Sequence, residues 1–193
     1  MWWAGCSPWV HDLASKSPAA GSVCAADGGR IAALPTPYLL FLGGADEALF
    51  AKTAFGLRDW APDLCIAQFG LPGAANTGLP QLSPREAVDR GARGAVIAVA
   101  SIGGAIAQRW MPPLLEALEA GLDLVSGMHT RLSDVPELAA AARRLGRHLI
   151  DVRRPPANIP IATGRKRTGK RLLTVGTDCA LGKKYTALAL NRA

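Results

Sequence analysis

The sequence predicts an α/β fold in which helices cover an open, doubly wound parallel sheet. Short apolar runs of strand length alternate with amphipathic stretches between residues 37 and 153. Turn-forming glycines follow several of these runs. Hydrophobic residues make up 49% of the 193 residues. This proportion supplies enough apolar surface for a core and excludes an intrinsically disordered chain.

The predicted elements follow one another as strand and helix. Strands are expected at 38–42, 64–69, 95–100, 122–126 and 149–152, and the third is nearly all apolar, which places it at the centre of the sheet. Helices are expected at 46–57, from Ser83 with a capping box to Glu86, from about Pro112 to Ala120, and at 133–146. Residues 70–82, rich in glycine and proline, form a loop.

Composition excludes several classes of protein. No apolar run reaches the roughly 20 residues of a membrane-spanning helix. The cysteines, Cys6, Cys24, Cys65 and Cys179, stand singly, so neither a zinc site nor a disulfide framework is expected. Residues 1–36 lack the pattern of a signal peptide and any helical or strand period. We expect a cytoplasmic protein with a disordered extension at 1–36.

Positive charge is concentrated near the end of the chain. The formal net charge is +7, and residues 152–193 carry ten Lys and Arg against Asp178 alone. The basic run at 165–171 is consistent with a solvated linker or with steering of anionic ligands. We place the linker at 154–171. Aromatic residues do not interleave with it, which disfavours a nucleic-acid partner.

The most informative motif is a glycine-bounded loop between a predicted strand at 172–175 and a helix that includes 187–191. The candidate phosphate-binding residues are Gly176, Thr177, Asp178, Cys179, Ala180, Leu181, Gly182, Lys183, Lys184 and Thr186. Such a loop turns backbone amides inward, its lysine adds a charge, and the helix N-terminus favours an anion. A plain strand-to-helix turn is the alternative. No histidine nearby supports Cys179 as a nucleophile.

The motif departs from the ordinary phosphate-binding loop in two ways. Five residues rather than four separate its glycines, and Lys184 stands where a magnesium-binding Ser or Thr is usual. Thr186 is the nearest substitute hydroxyl. The longer loop, with its Gly-Thr-Asp opening, is similar to that of dethiobiotin synthetase.

Glycines and polar residues also follow the strands of the predicted sheet, at Gly43-Gly44, 101–104 and 127–131. In open α/β sheets ligands bind at this carboxyl edge. A G-x-G-x-x-G dinucleotide motif is absent, so tight turns are the simplest account. His129 lies at this edge without a recognisable partner.

Several segments together resemble the D-glutamate N-acetyltransferase family: 37–43, 51–54, 164–173 and 175–190, of which Gly-Thr-Asp-Cys…Gly-Lys…Thr-Ala-Leu is the most specific. The resemblance implies a Rossmann-like doubly wound domain at 37–153 and, at 172–193, the first strand, loop and helix of a P-loop NTPase-like domain. The chain then stops early in that domain, and we expect the fragment alone to be inactive. Residues 37–153 also look like the coenzyme A-binding domain of succinyl-CoA ligases.

The resemblance implies an enzyme that moves an acetyl group from acetyl-CoA to the amino group of D-glutamate or a similar amino acid. The loop would hold phosphates, while Arg109 or Arg131 could hold acceptor carboxylates; no catalytic base or metal is assigned. One alternative is an ATP-dependent ligase or kinase that uses magnesium and resembles dethiobiotin synthetase. Another is a non-catalytic nucleotide-binding regulatory module. We expect a small-molecule partner and no membrane, and leave a homo-oligomer open.

Overall fold

The computed structural model describes residues 34–45, 50–153, 164–166, 168–178 and 181–193. The chain divides into two compact units, Met1–Pro156 and Ala157–Ala193. Most of the extension expected at 1–36 and of the linker expected at 154–171 lies outside the described residues. The predicted domain bounds therefore stay a prediction.

The first unit contains a parallel sheet of five strands in the order β2-β1-β3-β4-β5. The strands are β1 Tyr38–Phe41, β2 Cys65–Phe69, β3 Gly94–Ile97, β4 Asp123–Ser126 and β5 Leu149–Asp151. Every residue of β1 and β3 is buried, as a parallel strand covered on both faces requires. The predicted α/β class and the central place of β3 are thus confirmed. The strand order reverses between β1 and β3, which makes their carboxyl ends the switch point of the sheet.

The helices lie between the strands. They are α1 Lys52–Trp60, α2 Pro84–Asp89, α3 Met111–Glu119 and α4 Pro136–Leu145. The predicted start of the first helix falls on residues 46–49, outside the described part. The capping box predicted for α2 is present, because Ser83 Oγ accepts from the Glu86 amide and the Glu86 carboxylate accepts from the Ser83 amide. Gly146, at φ +63°, ends α4 in the left-handed conformation that glycine favours.

The core lies where the central strands meet α3. Phe41 packs against Phe69 and Trp110, with ring centroids 4.9 and 5.8 Å away. Leu114 and Leu118 of α3 are fully buried and belong to the same hydrophobic core. Burying a side chain of this size stabilises the fold by about 1.5–3 kcal/mol. The position of Trp110 in this core fixes the start of α3.

A buried glutamine holds the loop that follows β2. Gln68 is fully buried, and its Oε1 accepts hydrogen bonds from the amide and the hydroxyl of Thr77. Its Nε2 donates to Asn76 Oδ1 at 2.8 Å. The loop returns to β2 at Gln81, which forms an isolated parallel bridge with Gln68. Hydrogen bonds therefore attach the loop expected at 70–82 to strand β2.

The second unit differs from the prediction in one element. Residues 171–176 carry no strand, because none of the described strands pairs with the segment expected at 172–175. Helix α5, Lys183–Arg192, begins directly after the glycine-bounded loop. Among the helices of the described ranges, none has the length and apolar character that crossing a membrane requires.

We expect alkaline pH to destabilise the first unit. Burial raises the pKa of Tyr38 from 10.0 to about 12, with a smaller contribution from Cys65, and burial raises the pKa of Cys65 from 9.0 to about 11. The unfolded chain therefore loses these protons first. Their contribution to stability is complete below about pH 9 and is lost as the pH rises through the folded values. Urea unfolding should show a fall of about 3–5 kcal/mol between about pH 9 and 12, since each pKa unit corresponds to about 1.4 kcal/mol. The fall should be smaller in Tyr38→Phe; an equal fall in that variant would contradict this explanation.

Candidate functional site

The predicted phosphate-binding loop ends on a glycine that starts a helix. Gly182 has φ +87°, in the left-handed region, and precedes Lys183, the first residue of α5. The first amides of a helix have no partner within the helix and carry a partial positive charge. Helix α5 thus begins at the lysine of the loop, and anion binding at this helix end stays a prediction.

The Lys183 side chain packs against the loop and forms a hydrogen bond with the loop backbone. The side chain is half-buried, and a Cβ on Gly176 would lie 3.2 Å from its Cδ, so the absence of a side chain at Gly176 admits the lysine stem. The Lys183 ammonium donates to the carbonyl of Asp178, and the Thr174 hydroxyl donates to the carbonyl of Lys183 at 2.9 Å. These bonds bring both ends of the loop around one positive charge.

The remaining loop residues are placed unevenly. Gly176, Thr177, Asp178, Leu181 and Lys184 are exposed. The hydroxyl of Thr186 donates to the carbonyl of Gly182 at 3.2 Å. Cys179 and Ala180 lie outside the described residues, so the inward-facing ring of amides and any role of Cys179 stay predictions. Within the described ranges no group of three or more His, Cys, Asp and Glu side chains is placed to hold a metal ion.

A second candidate region is the carboxyl edge of the sheet in the first unit, where the loops after neighbouring strands are joined by hydrogen bonds. The amide of Leu71, in the loop after β2, donates to the carbonyl of Gly43, after β1, at 2.6 Å. The carbonyl of Gly104, after β3, accepts from the amides of His129 and Thr130, after β4, at 2.9 and 3.2 Å. The loop positions are thus set by the backbone rather than by side chains alone.

Two glycines at this edge admit neighbouring rings. A Cβ on Gly104 would lie 2.0 Å from Cδ2 of His129, and a Cβ on Gly43 would lie 2.8 Å from Cε2 of Trp110. The glycine pairs that the sequence explained as tight turns therefore also make room for side chains from the next loop. Sequence reasoning did not predict this packing. The signal that could have indicated it is Trp110, a large apolar residue shortly before Pro112-Pro113.

The candidate cations of the edge have different surroundings. The Arg109 guanidinium lies over Gly44, with Nη2 3.4 Å from the position of a Cβ there. Arg131 is exposed. Arg153 Nη1 lies 3.2 Å from Nε2 of His129, a partner that the sequence did not reveal. Of these cations, Arg109 is the one that packs against the turn at the switch point.

A Rossmann-like parallel domain followed by a glycine-bounded loop and its lysine defines an α/β protein of the P-loop class. The chain belongs to the DUF1611 family: the model of its Rossmann-like N-terminal domain, a domain of unknown function, matches residues 69–155, and that of its C-terminal P-loop domain matches residues 160–193.

The chain is also similar to two proteins with a named activity and to one crystal structure. The chain is 54% identical over 159 residues to a D-glutamate N-acetyltransferase of Tritonibacter scottomollicae, a match covering 82% of this chain and 48% of that one. It is 42% identical to a D-glutamate N-acetyltransferase of a Pseudoalteromonas species, covering 81% and 48%. It superimposes on the crystal structure of a DUF1611 protein from Anabaena variabilis with a TM-score of 0.66 and 30% identity, covering 80% and 48%. The chain thus spans about half the length of these relatives.

We expect Gly43→Ala to destabilise the protein more than Gly73→Ala. Both glycines have positive φ, +54° and +82°, so both substitutions incur the left-handed penalty of about 1–2 kcal/mol. Only at Gly43 would the new methyl group meet Trp110, whereas at Gly73 no atom of the described residues lies within 4 Å of it. Urea unfolding should show an additional loss of about 1–3 kcal/mol for Gly43→Ala. Equal losses in the two variants would show that the indole is not held against Gly43.

Proposed function

We propose that the full-length protein transfers an acetyl group from acetyl-CoA to the amino group of D-glutamate or a similar amino acid. The observation that carries this proposal is the 54% and 42% identity to proteins named D-glutamate N-acetyltransferase. Since this chain spans about half their length, the activity is proposed for the longer protein, and we expect this chain alone to have little or none.

The loop at 176–186 supports a role in binding the acyl donor. Coenzyme A carries a diphosphate and a ribose phosphate, which are anions that a helix end and an ammonium group recognise. The Lys183 ammonium already lies inside the loop, where it donates to the Asp178 carbonyl. A phosphate oxygen would replace that carbonyl as its acceptor. The exposed Arg165, Lys166, Lys170 and Arg171 would raise the local concentration of such an anion.

The transfer itself makes a defined demand on the enzyme. The acceptor amine attacks the thioester carbonyl as a free base; a C–N bond forms, the C–S bond breaks, and coenzyme A leaves as a thiolate. The amine proton passes to a base or to that thiolate. Residues of this chain are proposed here to bind and orient the substrates, and the base is not assigned.

Lys184 favours coenzyme A over a magnesium nucleotide at this loop. In nucleotide-binding loops a hydroxyl beside the lysine ligates magnesium, whereas this chain has a second cation there. Two lysines in succession at the start of the helix suit phosphates that arrive without a metal ion. The cytoplasmic location and the absence of a nucleic-acid partner stay predictions.

In the full-length enzyme, we expect Lys183→Ala to raise the KM for acetyl-CoA by about 10- to 100-fold, because a charge-assisted hydrogen bond to phosphate is lost. The KM for D-glutamate should change little. Initial rates of coenzyme A release, measured with a thiol reagent, provide the test. Arg192→Ala is the matched control, since it removes an exposed cation from the last turn of the same helix.

Two outcomes would contradict the proposal. Tighter binding of ATP with magnesium than of coenzyme A, measured by calorimetry on the full-length protein, would favour the ligase or kinase alternative. Ligand binding without turnover of acetyl-CoA, with D- or L-glutamate as acceptor, would favour a regulatory module.

A further inference from the structure

The turn that follows β1, Gly43-Gly44, gathers hydrogen-bond donors that have no acceptor in the described part of the chain. Trp110 is 4% exposed, and its indole N–H has no hydrogen-bond partner there. Its Nε1 lies 2.9 Å from the position that a Cβ on Gly43 would take. A buried N–H without an acceptor is uncommon in folded proteins and calls for an explanation at the site where it occurs.

Further donors lie at the same turn. The exposed guanidinium of Arg109 packs over Gly44, and no hydrogen bond or ion pair joins it to a described residue. The backbone bonds of the described ranges do not use the amides of Gly43 and Gly44, whereas the next amide, of Ala45, donates to Leu42. Indole, guanidinium and backbone donors therefore lie at one turn, and none of them has an acceptor among the described residues.

Backbone hydrogen bonds hold this turn, which lies at the switch point of the sheet. The carbonyl of Gly43 accepts from the amide of Leu71 at 2.6 Å, and that of Ala45 accepts from Ala75 at 2.5 Å. The loop supplying these amides is itself fixed by the buried Gln68. Since the strand order reverses here, the crevice beside β1 is where an open α/β sheet binds its ligand.

We propose that the Gly43-Gly44 turn, with Arg109 and Trp110, binds a carboxylate group. A planar guanidinium matches the two oxygens of a carboxylate, and a single neutral indole N–H suits one further lone pair. A diphosphate needs a longer run of inward amides, which the Ala45 to Leu42 bond interrupts. On the proposed function, whose acceptor is an acidic amino acid, this turn holds an acceptor carboxylate.

The indole N–H offers a direct test in this chain. Proton–nitrogen NMR spectra with ¹⁵N-labelled tryptophan, assigned with Trp110→Phe, should show one indole signal that shifts saturably with D-glutamate and with glutarate, which lacks the amine. Inorganic phosphate and coenzyme A should move that signal only at higher concentration. A signal that responds to phosphate or coenzyme A at lower concentration than to either carboxylate would overturn the assignment.

The matched variants are Arg109→Gln and Arg144→Gln. Arg144 is an exposed arginine of α4 and takes no part in the turn. Its Nη2 lies 3.8 Å from Oε1 of Glu119. We expect Arg109→Gln to weaken D-glutamate binding at least tenfold and Arg144→Gln to leave it unchanged. Trp110→Phe, which keeps a ring but removes the N–H, should weaken binding several-fold by calorimetry. Unchanged binding in both Arg109→Gln and Trp110→Phe would refute the site.

The full-length enzyme separates this inference from the proposed function. If both hold, Arg109→Gln raises the KM for D-glutamate and leaves the KM for acetyl-CoA unchanged. Acetyl transfer with an unchanged D-glutamate KM in Arg109→Gln would refute the carboxylate site and leave the activity intact. Carboxylate binding at the turn without acetyl transfer by the full-length enzyme would refute the proposed function and leave the site intact.

Discussion

The contact of the Trp110 indole with the backbone at Gly43 is the interaction on which the carboxyl edge of the sheet depends. It joins the segment before α3 to the end of β1, and the same ring forms an edge-to-face contact with Phe41. Because Trp110 is held from both sides, the preceding residue, Arg109, is carried to Gly44. A glycine is needed at position 43, since a methyl group there would overlap the ring. Core packing and site geometry are thus consequences of one close approach.

Much of the fold was predictable because parallel strands leave a plain signal. Strands buried on both faces appear as apolar runs, so β1 and β3 were found within a residue or two at their starts. The capping box at Ser83 was also predictable, because its two side chains act on the local backbone alone. Features that depend only on residues close together in the chain can be predicted from the sequence.

The features that sequence reasoning missed depend on contacts between distant residues. The hydrogen bonds between Gln68 and Thr77 depend on the fold of the whole loop after β2. A single glutamine in an apolar run does not predict them. The partner of His129, Arg153, lies at the end of another strand. The strand expected at 172–175 failed for a related reason. Its apolar residues suited a strand, but a strand exists only where another one pairs with it.

The two candidate sites differ in how ready they are for a ligand. At the loop of the second unit, Lys183 is already satisfied by the Asp178 carbonyl, so an incoming phosphate must displace an internal hydrogen bond. At the Gly43-Gly44 turn, the Trp110 N–H is buried without an acceptor in the described part of the chain, which costs about 1–3 kcal/mol. A bound carboxylate would recover that cost. Backbone hydrogen bonds from the loop after β2 hold the turn in place. The recovered cost would therefore add to the affinity for the carboxylate.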